Sequence, residues 1–244
     1  MNKKNNLLSV FYLLVPGFVL LISFTHIPAV KTLMNSFYST AKGRRESKFV
    51  GLENYETLWQ DATFWKVFSN NIIYALGVIP TSILLSLGMA LWVNSKIIGR
   101  PFLRFSYFLP TVLPLIAVGN IWLFFYAPGF GFIDQIVTSL GFQSLNILGS
   151  QESSLFGVMA VGIWKEAGFY MIFYLAGLQA IPPDLKEAAM IEGANKWYIF
   201  WRITFPLLTP TTLFVSVNAV INSFRQIDHI VVFFVYHLKF EKLH

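Results

Sequence analysis

The sequence EAAMIEG, residues 187–193, decides how the chain is organised. It lies in a polar, helix-forming segment, residues 182–203, between two long apolar stretches. The pair Pro182-Pro183 ends the apolar stretch that precedes it. Asp184, followed by Glu187 one helical turn later, fits a capping box at the start of a new helix. The segment is therefore predicted to form a short helix of its own.

Small residues mark the middle and the end of this predicted helix. Ala188 and Ala189 carry almost no side chain, so another surface can approach them closely. Gly193 is expected to end the helix, because glycine adopts the left-handed conformation that often follows a helix end. Asn195 can then cap a second short helix, before Pro206 opens the next apolar run.

The composition indicates an integral membrane protein. Of the 244 residues, 55% are hydrophobic and 12% are charged, against ~25% charged residues in soluble domains. The net charge of +6 does not indicate nucleic-acid binding, because the basic residues are scattered between apolar runs. The chain has no cysteines, which excludes disulfides and thiolate metal sites.

Long apolar runs predict five membrane-spanning helices; four of them lack charged residues, and the fourth in the chain is interrupted by Lys165-Glu166. Each run exceeds the ~20 residues that cross ~30 Å of hydrocarbon. The predicted fold class is an all-α, polytopic membrane protein with a single membrane-spanning domain over residues 1–244. The predicted spans cover about residues 7–30, 70–94, 105–126, 154–179 and 204–224.

Basic residues set the predicted orientation, because cytoplasmic loops are enriched in Lys and Arg. Lys3-Lys4, the 96–104 loop and the 182–203 loop share one side, opposite the 127–152 loop, which has no Lys or Arg. The N-terminus and residues 182–203 are therefore placed in the cytoplasm. The mixed-charge loop 31–66 conflicts in part with this orientation, because its basic residues fall on the outer side of the membrane.

No catalytic or metal-binding pattern occurs in the sequence. A G-x-x-x-x-G-K-[ST] sequence is absent, so the chain has no P-loop with which to hydrolyse ATP. The histidines lack ligand spacing. We therefore predict a non-enzyme with no catalytic residue, no metal site and no cofactor.

Four polar side chains within the apolar runs are candidates for lining a solute path. Lys165 and Glu166 lie deep in the fourth span, where charges cost several kcal/mol unless they are paired or hydrated. Asn218 and Asn222 share one face of the fifth span, because they are one helical turn apart. The alternative is that these groups hold helices together by hydrogen bonds.

The spacing around EAAMIEG resembles the EAA loop of permease subunits of binding-protein-dependent ABC importers. Phe205 stands where that family has Leu. Residues 49–55, 178–182 and 217–224 are similar to segments of carbohydrate-type permeases, the maltose and glycerol-3-phosphate kind. The positions that match the EAA pattern are Glu187, Ala188, Ala189, Gly193, Ile203 and Pro206.

The resemblance implies a mechanism and a set of partners. Residues 182–203 would form a coupling loop that docks in a groove of an ATPase. The implied partners are two cytoplasmic ABC ATPase subunits, a second homologous permease, an extracytoplasmic solute-binding protein and membrane lipid. The solute would be a sugar or a polyol-like compound such as glycerol 3-phosphate, and the location a bacterial inner membrane, with several spans.

The end of the sequence and the charged pair leave two alternatives open. Related permeases continue into a Gly-Gly-Pro loop and a sixth span, and residues 229–244 match neither. We expect a truncated or frameshifted, non-functional permease, with a genuine five-span subunit as the alternative. The rival from another class is an ion-coupled secondary transporter with Lys165 and Glu166 as its charged site.

Overall fold

The computed structural model describes residues 3–39, 47–95, 97–149 and 151–225. Within these ranges the chain is helical apart from its connections, and the one bridge between extended residues joins Tyr38 and Phe49. The predicted all-α class is confirmed. The prediction about residues 229–244 lies outside the described residues. The chain divides into two compact units, Met1–Phe68 and Ser69–His244.

The first unit begins with a long apolar helix. A π-helical turn, Ile22–His26, joins α1 to α2, so that Val10–Asn35 forms one candidate span. Apolar side chains lie on all sides of it, as expected for a helix that faces lipid. The helix ends five residues later than the predicted span, which stopped near Val30. The helices of this unit are α1 (Lys3–Leu21), α2 (Ile27–Asn35), α3 (Glu53–Gln60) and the first part of α4 (Ala62–Asn94).

Side-chain hydrogen bonds close the loop between α2 and α3. The Asn54 amide donates to the backbone carbonyls of Ser36 and Tyr38, at 2.7 and 2.9 Å. The hydroxyls of Ser36 and Tyr55 lie 2.6 Å apart. These contacts fix the beginning of α3 against the end of α2.

The second unit is organised around one long helix, α8. Its Tyr170, Met171 and Tyr174 are fully buried in one apolar cluster, and Val161 in another. The helices of this unit after α4 are α5 (Arg100–Val112), α6 (Leu115–Tyr126), α7 (Phe132–Ser139), α8 (Gln151–Ala180), α9 (Pro183–Ile191), α10 (Lys196–Ile199), α11 (Phe205–Leu207) and α12 (Thr209–Arg225).

Three helices of the described ranges are long and apolar enough to cross a membrane: Val10–Asn35, Ala62–Asn94 and Ser153–Ala180. The count rises to five if each of two bent pairs, α5 with α6 and Lys196–Leu207 with α12, forms one span. Each pair is bent by more than 40°. The five predicted spans agree with the upper count, and the number of spans stays a prediction.

The third predicted span is not one continuous helix, and the sequence did not predict its break. α5 ends at Val112, and Leu113 is extended, with φ −68° and ψ 134°. Residues before proline are driven out of the helical region in this way, and here Pro114 follows. Pro114 also has no N–H to donate to the carbonyl of Pro110, so the helical ladder cannot pass this point.

Candidate functional site

The polar segment after α8 forms a separate helix, as predicted, but it begins differently. The N-cap of α9 is Pro182, and no side chain caps it. Pro183 takes the first helical position, where its missing N–H is not needed. Asp184 therefore lies inside the first turn, and the predicted capping box with Glu187 was wrong. The carboxylate of Asp184 still favours the helix, because it lies near the positive end of the helix dipole.

α9 ends as predicted from the glycine that follows it. Gly193 has φ +86°, and its N–H donates to the Met190 carbonyl at 3.0 Å. The N–H of Ala194 donates to the Ala189 carbonyl at 2.9 Å. These two bonds form a Schellman motif, which closes a helix with a left-handed glycine. The predicted cap by Asn195 is also confirmed, because its Oδ1 accepts the Tyr198 N–H at 2.8 Å.

Most side chains of α9 face away from the chain. Glu187 and Ala188 are exposed, and Ala189 is half-buried. Two large apolar side chains at the end of the helix, Met190 and Ile191, are 55% and 87% exposed. The small, polar and apolar groups of α9 together form a surface that a partner could cover.

A π-helical segment connects this surface to α12. It covers Phe200–Thr204, with the Phe205 N–H donating to the Phe200 carbonyl. Pro206 has no N–H for an ordinary helical bond, which favours such an irregular turn. Ile203 is half-buried within the segment, and Pro206 is exposed in α11. These two predicted residues therefore lie apart from α9, on the route into α12.

The charged pair of α8 points to two different neighbours. Lys165 is half-buried, and its Nζ donates to the Leu113 carbonyl at 3.1 Å. Glu166 is also half-buried, and its Oε2 accepts the Asn222 amide at 3.2 Å. Successive residues of a helix point about 100° apart, which explains the divergence. The pair links α8 to the break after α5 and to α12.

The two asparagines of α12 behave differently. Asn222 donates to Glu166 and, at 3.3 Å, to the Tyr170 hydroxyl. Asn218 donates instead to the Phe214 carbonyl of its own helix, at 2.8 Å. Of the two, Asn222 is therefore the one that the structure brings together with Glu166.

A small cavity lies beside this polar cluster. About 10 Å³ of it is open to a water molecule, which is room for roughly one water and far less than the roughly 300–1,000 Å³ of typical ligand pockets. The Ser82 hydroxyl faces it, fully buried and without a hydrogen-bond partner among the described residues. The cavity is lined by Tyr74, Val78, Ile79, Ser82, Glu166, Tyr170, Ala219, Asn222 and Ser223.

Residues 82–238 match the family described as the inner membrane component of binding-protein-dependent transport systems. The chain belongs to this family. The resemblance inferred from EAAMIEG is confirmed, and so is the prediction of a non-enzyme, because the members of this family are transport components.

Individual permeases and a solved structure agree with the family. The chain is 34% identical to the osmoprotective compounds uptake permease protein GgtC of Synechocystis, over 87% of this chain and 77% of that one. It is 31% identical to the trehalose/maltose transport system permease protein MalF of Thermococcus litoralis, over 91% and 75%. A bacterial ABC transporter involved in the import of alginate matches with a TM-score of 0.72 and 26% identity, over 88% of this chain and 73% of that one.

A second polar site of the permease lies between α6 and α8. The side chain of Asp134 in α7 is 3% exposed. Its carboxylate accepts hydrogen bonds from the Ser144 hydroxyl at 2.7 Å and from the N–H groups of Gly129 and Leu145 at 2.8 and 2.9 Å. These bonds hold the pKa of Asp134 below its ordinary value, with Ser144 as the largest cause. The Asp134 carboxylate thus holds Gly129 and Leu145 together within the segment that connects α6 to α8.

Two partners of the predicted residues, and one further polar residue, were missed from the sequence. Tyr170 could have been found, because it lies one helical turn after Glu166 on the same face. Leu113 could not, because it acts through its backbone carbonyl, 52 residues before Lys165. Nothing in the sequence distinguished Asp134, whose partners are mostly backbone N–H groups.

Proposed function

We propose that the chain is the permease subunit through which a sugar, or a polyol-like solute such as glycerol 3-phosphate, crosses a bacterial inner membrane. ATP hydrolysis on two separate cytoplasmic ATPase subunits drives the movement. The exposed helix α9, closed by the Schellman motif at Gly193, carries this proposal. It is a rigid surface of the kind that a partner can push against.

The coupling loop works through contacts made at α9. Ala188 and Ala189 let the ATPase approach the helix backbone, and Glu187 offers a carboxylate for polar contacts. Gly193 fixes the direction in which the chain leaves the helix. Ile203 and Pro206 lie on the route from that point into α12, so a push on α9 reaches a membrane helix. A ligand shifts such an equilibrium only through contacts that differ between two states.

The solute class follows from relatives and from the polar groups in the spans. Trehalose/maltose and alginate are named for two of the similar proteins. Sugars need amide, hydroxyl and carboxylate partners, which Glu166, Asn222 and Asn218 supply, with Lys165 close by. The cavity beside them is too small for a sugar, so we place the path where this chain meets a second homologous permease. An extracytoplasmic solute-binding protein delivers the solute.

The proposed topology keeps five spans within a single membrane domain. The N-terminus and the coupling loop, residues 182–203, lie in the cytoplasm, where the ATPase subunits are. The bent pair α5–α6 counts as one span, and α12 together with the residues after 203 that lead into it counts as another. Lipid covers the exposed apolar side chains of Val10–Asn35.

Gly193 provides the test of this function. At φ +86° a β-branched residue is strained, although a Cβ there would contact nothing within 4 Å. We expect Gly193→Val to reach the membrane in normal amount but to lose solute uptake and copurification of the ATPase. Gly193→Asn is the matched control, because asparagine tolerates the left-handed region. It should retain most of the uptake.

The measurement is uptake of labelled maltose, trehalose and glycerol 3-phosphate by vesicles that contain the permease, the second homologous permease, the ATPase subunits and the solute-binding protein. Normal uptake and normal copurification by Gly193→Val would overturn the assignment of the coupling loop. Uptake that depends on a proton gradient at constant ATP would favour the secondary transporter instead.

A further inference from the structure

The break between α5 and α6 leaves backbone groups that the helix itself cannot satisfy. Leu113 is extended, which turns its carbonyl out of the helical ladder. A new helix starts beyond it, with the Val118 N–H donating to the Pro114 carbonyl at 3.1 Å. In hydrocarbon no water can hydrogen-bond an unsatisfied backbone group, so a break at this depth needs a donor from elsewhere.

Lys165 supplies that donor. Its ammonium lies 3.1 Å from the Leu113 oxygen, and a hydrogen bond from a charged donor is stronger than one between neutral groups. Lys165 is near the middle of the 28-residue candidate span Ser153–Ala180. A lysine so far from both ends is costly unless it has a partner, and backbone carbonyls are among the partners that such residues use.

Two further contacts hold α8 against α5 at the same level. The Thr111 hydroxyl donates to the backbone carbonyl of Lys165 at 3.3 Å, so the two segments exchange hydrogen bonds in both directions. One turn along, Gly168 lies against the Tyr107 carbonyl, where any side chain would overlap the oxygen. The ammonium therefore reaches the break from a backbone that is already fixed beside it.

The neighbouring residue extends the connection to a third helix. Glu166 accepts the Asn222 amide of α12 at 3.2 Å. Lys165, which contacts the break, and Glu166, which contacts α12, are therefore consecutive residues of α8. Because α12 follows the coupling loop in the chain, movement started at that loop has a short route to the break.

We propose that Lys165 is a positioning residue, whose ammonium holds the Leu113 carbonyl and thereby sets the direction of α6 relative to α5. Its part in transport rests on the proposed function, whereas its effect on the break does not. A lysine that only lined a solute path would leave the angle between α5 and α6 unchanged.

A distance across the break tests this directly. The chain has no cysteines, so a pair introduced at Phe102 and Phe124 is unique. Both side chains are exposed, by 72% and 58%, so labels there disturb little. Spin labels on the full chain in lipid nanodiscs report the distance between α5 and α6 by pulsed electron resonance, without solute or ATPase.

We expect Lys165→Met to shift and broaden the distance distribution, because methionine keeps the length of the side chain but not its donor. Lys165→Arg keeps a charged donor and should retain the native distribution. Lys66→Met, at an exposed lysine near the start of α4, is the matched control and should change nothing. A native distribution in Lys165→Met would overturn the proposal.

A second variant keeps the proposal falsifiable if Lys165→Met does not fold. Pro114→Ala restores an N–H for the Pro110 carbonyl and so removes the need for an external donor at the break. It should recover the amount of folded Lys165→Met in the membrane. If Pro114→Ala folds alone but gives no recovery, Lys165 does not act through the break. Failure of native uptake with the second permease, the ATPase subunits and the solute-binding protein present would overturn the proposed function and leave these results standing.

Discussion

Gly168 in α8 lies directly against the backbone carbonyl of Tyr107 in α5, so that a Cβ at residue 168 would overlap the oxygen. The atom in the way belongs to the backbone and cannot rotate aside. Small residues allow membrane helices to approach this closely, and packing takes the place of the hydrophobic effect that drives association in water. This contact sets how near Lys165 comes to the break after α5.

Gly168→Ala is expected to destabilise the helix pair by about 1–3 kcal/mol, the usual cost of overpacking. For a chain of this size the melting temperature should fall by roughly 2–12 °C. The measurement is thermal unfolding in detergent, followed by circular dichroism.

Gly88→Ala in α4 is the matched control. A Cβ at residue 88 would contact nothing within 4 Å, and alanine is the better helix former by roughly 0.5–1 kcal/mol. Gly88→Ala should therefore leave stability unchanged or raise it slightly. Equal melting temperatures for the two variants would show that α5 and α8 are not as close as described.

The asparagines of α12 give a second prediction. Asn222→Ala removes the bonds to Glu166 and Tyr170 and should lower the unfolding free energy by about 1 kcal/mol, as for other hydrogen bonds between membrane helices. Asn218→Ala removes a bond within its own helix and should cost less than half as much. Urea unfolding in mixed micelles compares the two. A larger loss for Asn218→Ala would contradict the assignment of Asn222 as the link to α8.

The lowered pKa of the Asp134 carboxylate predicts that the stability of the protein depends on pH. Because its pKa is lower when folded, its carboxylate stabilises the connection above the ordinary Asp pKa of about 3.9. That contribution is lost as the pH falls through the lower, folded pKa. Asp134→Asn should lower the melting temperature at pH 7, because its amide oxygen can still accept from Ser144 and Leu145, whereas its NH₂ group faces the N–H donor of Gly129.

The pH dependence of the melting temperature distinguishes the role of Asp134 from that of an exposed carboxylate. The difference between native protein and Asp134→Asn should shrink as the pH falls below about 4. Asp184→Asn is the control, because Asp184 is exposed on α9. If both variants melt alike at every pH, Asp134 has no such role.

The features predicted correctly are those that neighbouring residues determine. Gly193 and Asn195 act on backbone groups within a few positions, so their chemistry can be found in a short stretch of sequence. Asp184 fitted a local pattern as well, but the preference of Pro183 for the first helical position moved the helix start and displaced it.

Contacts between distant residues were not predictable in this way. The four polar candidates were found because charge and amide groups stand out in apolar runs. Their partners depend on helix rotation, which decides that Asn222 reaches Glu166 whereas Asn218, one turn away, does not. Pro110 and Pro114 were visible in the third span, but membrane helices tolerate proline, so the sequence did not predict whether the helix would bend or break.

The charged pair of α8 also bears on how the chain is assembled during synthesis. The most apolar part of α8 has a mean hydropathy of 1.3, against 2.1 and 2.0 for the other two long helices. A charge at the centre of a helix opposes insertion by roughly 2.5–3.5 kcal/mol. The partner of Lys165 has already been made when α8 leaves the ribosome, but Asn222 has not. We therefore expect α8 to be held beside α5 at the insertion machinery, with the bond between Glu166 and Asn222 forming only when α12 arrives.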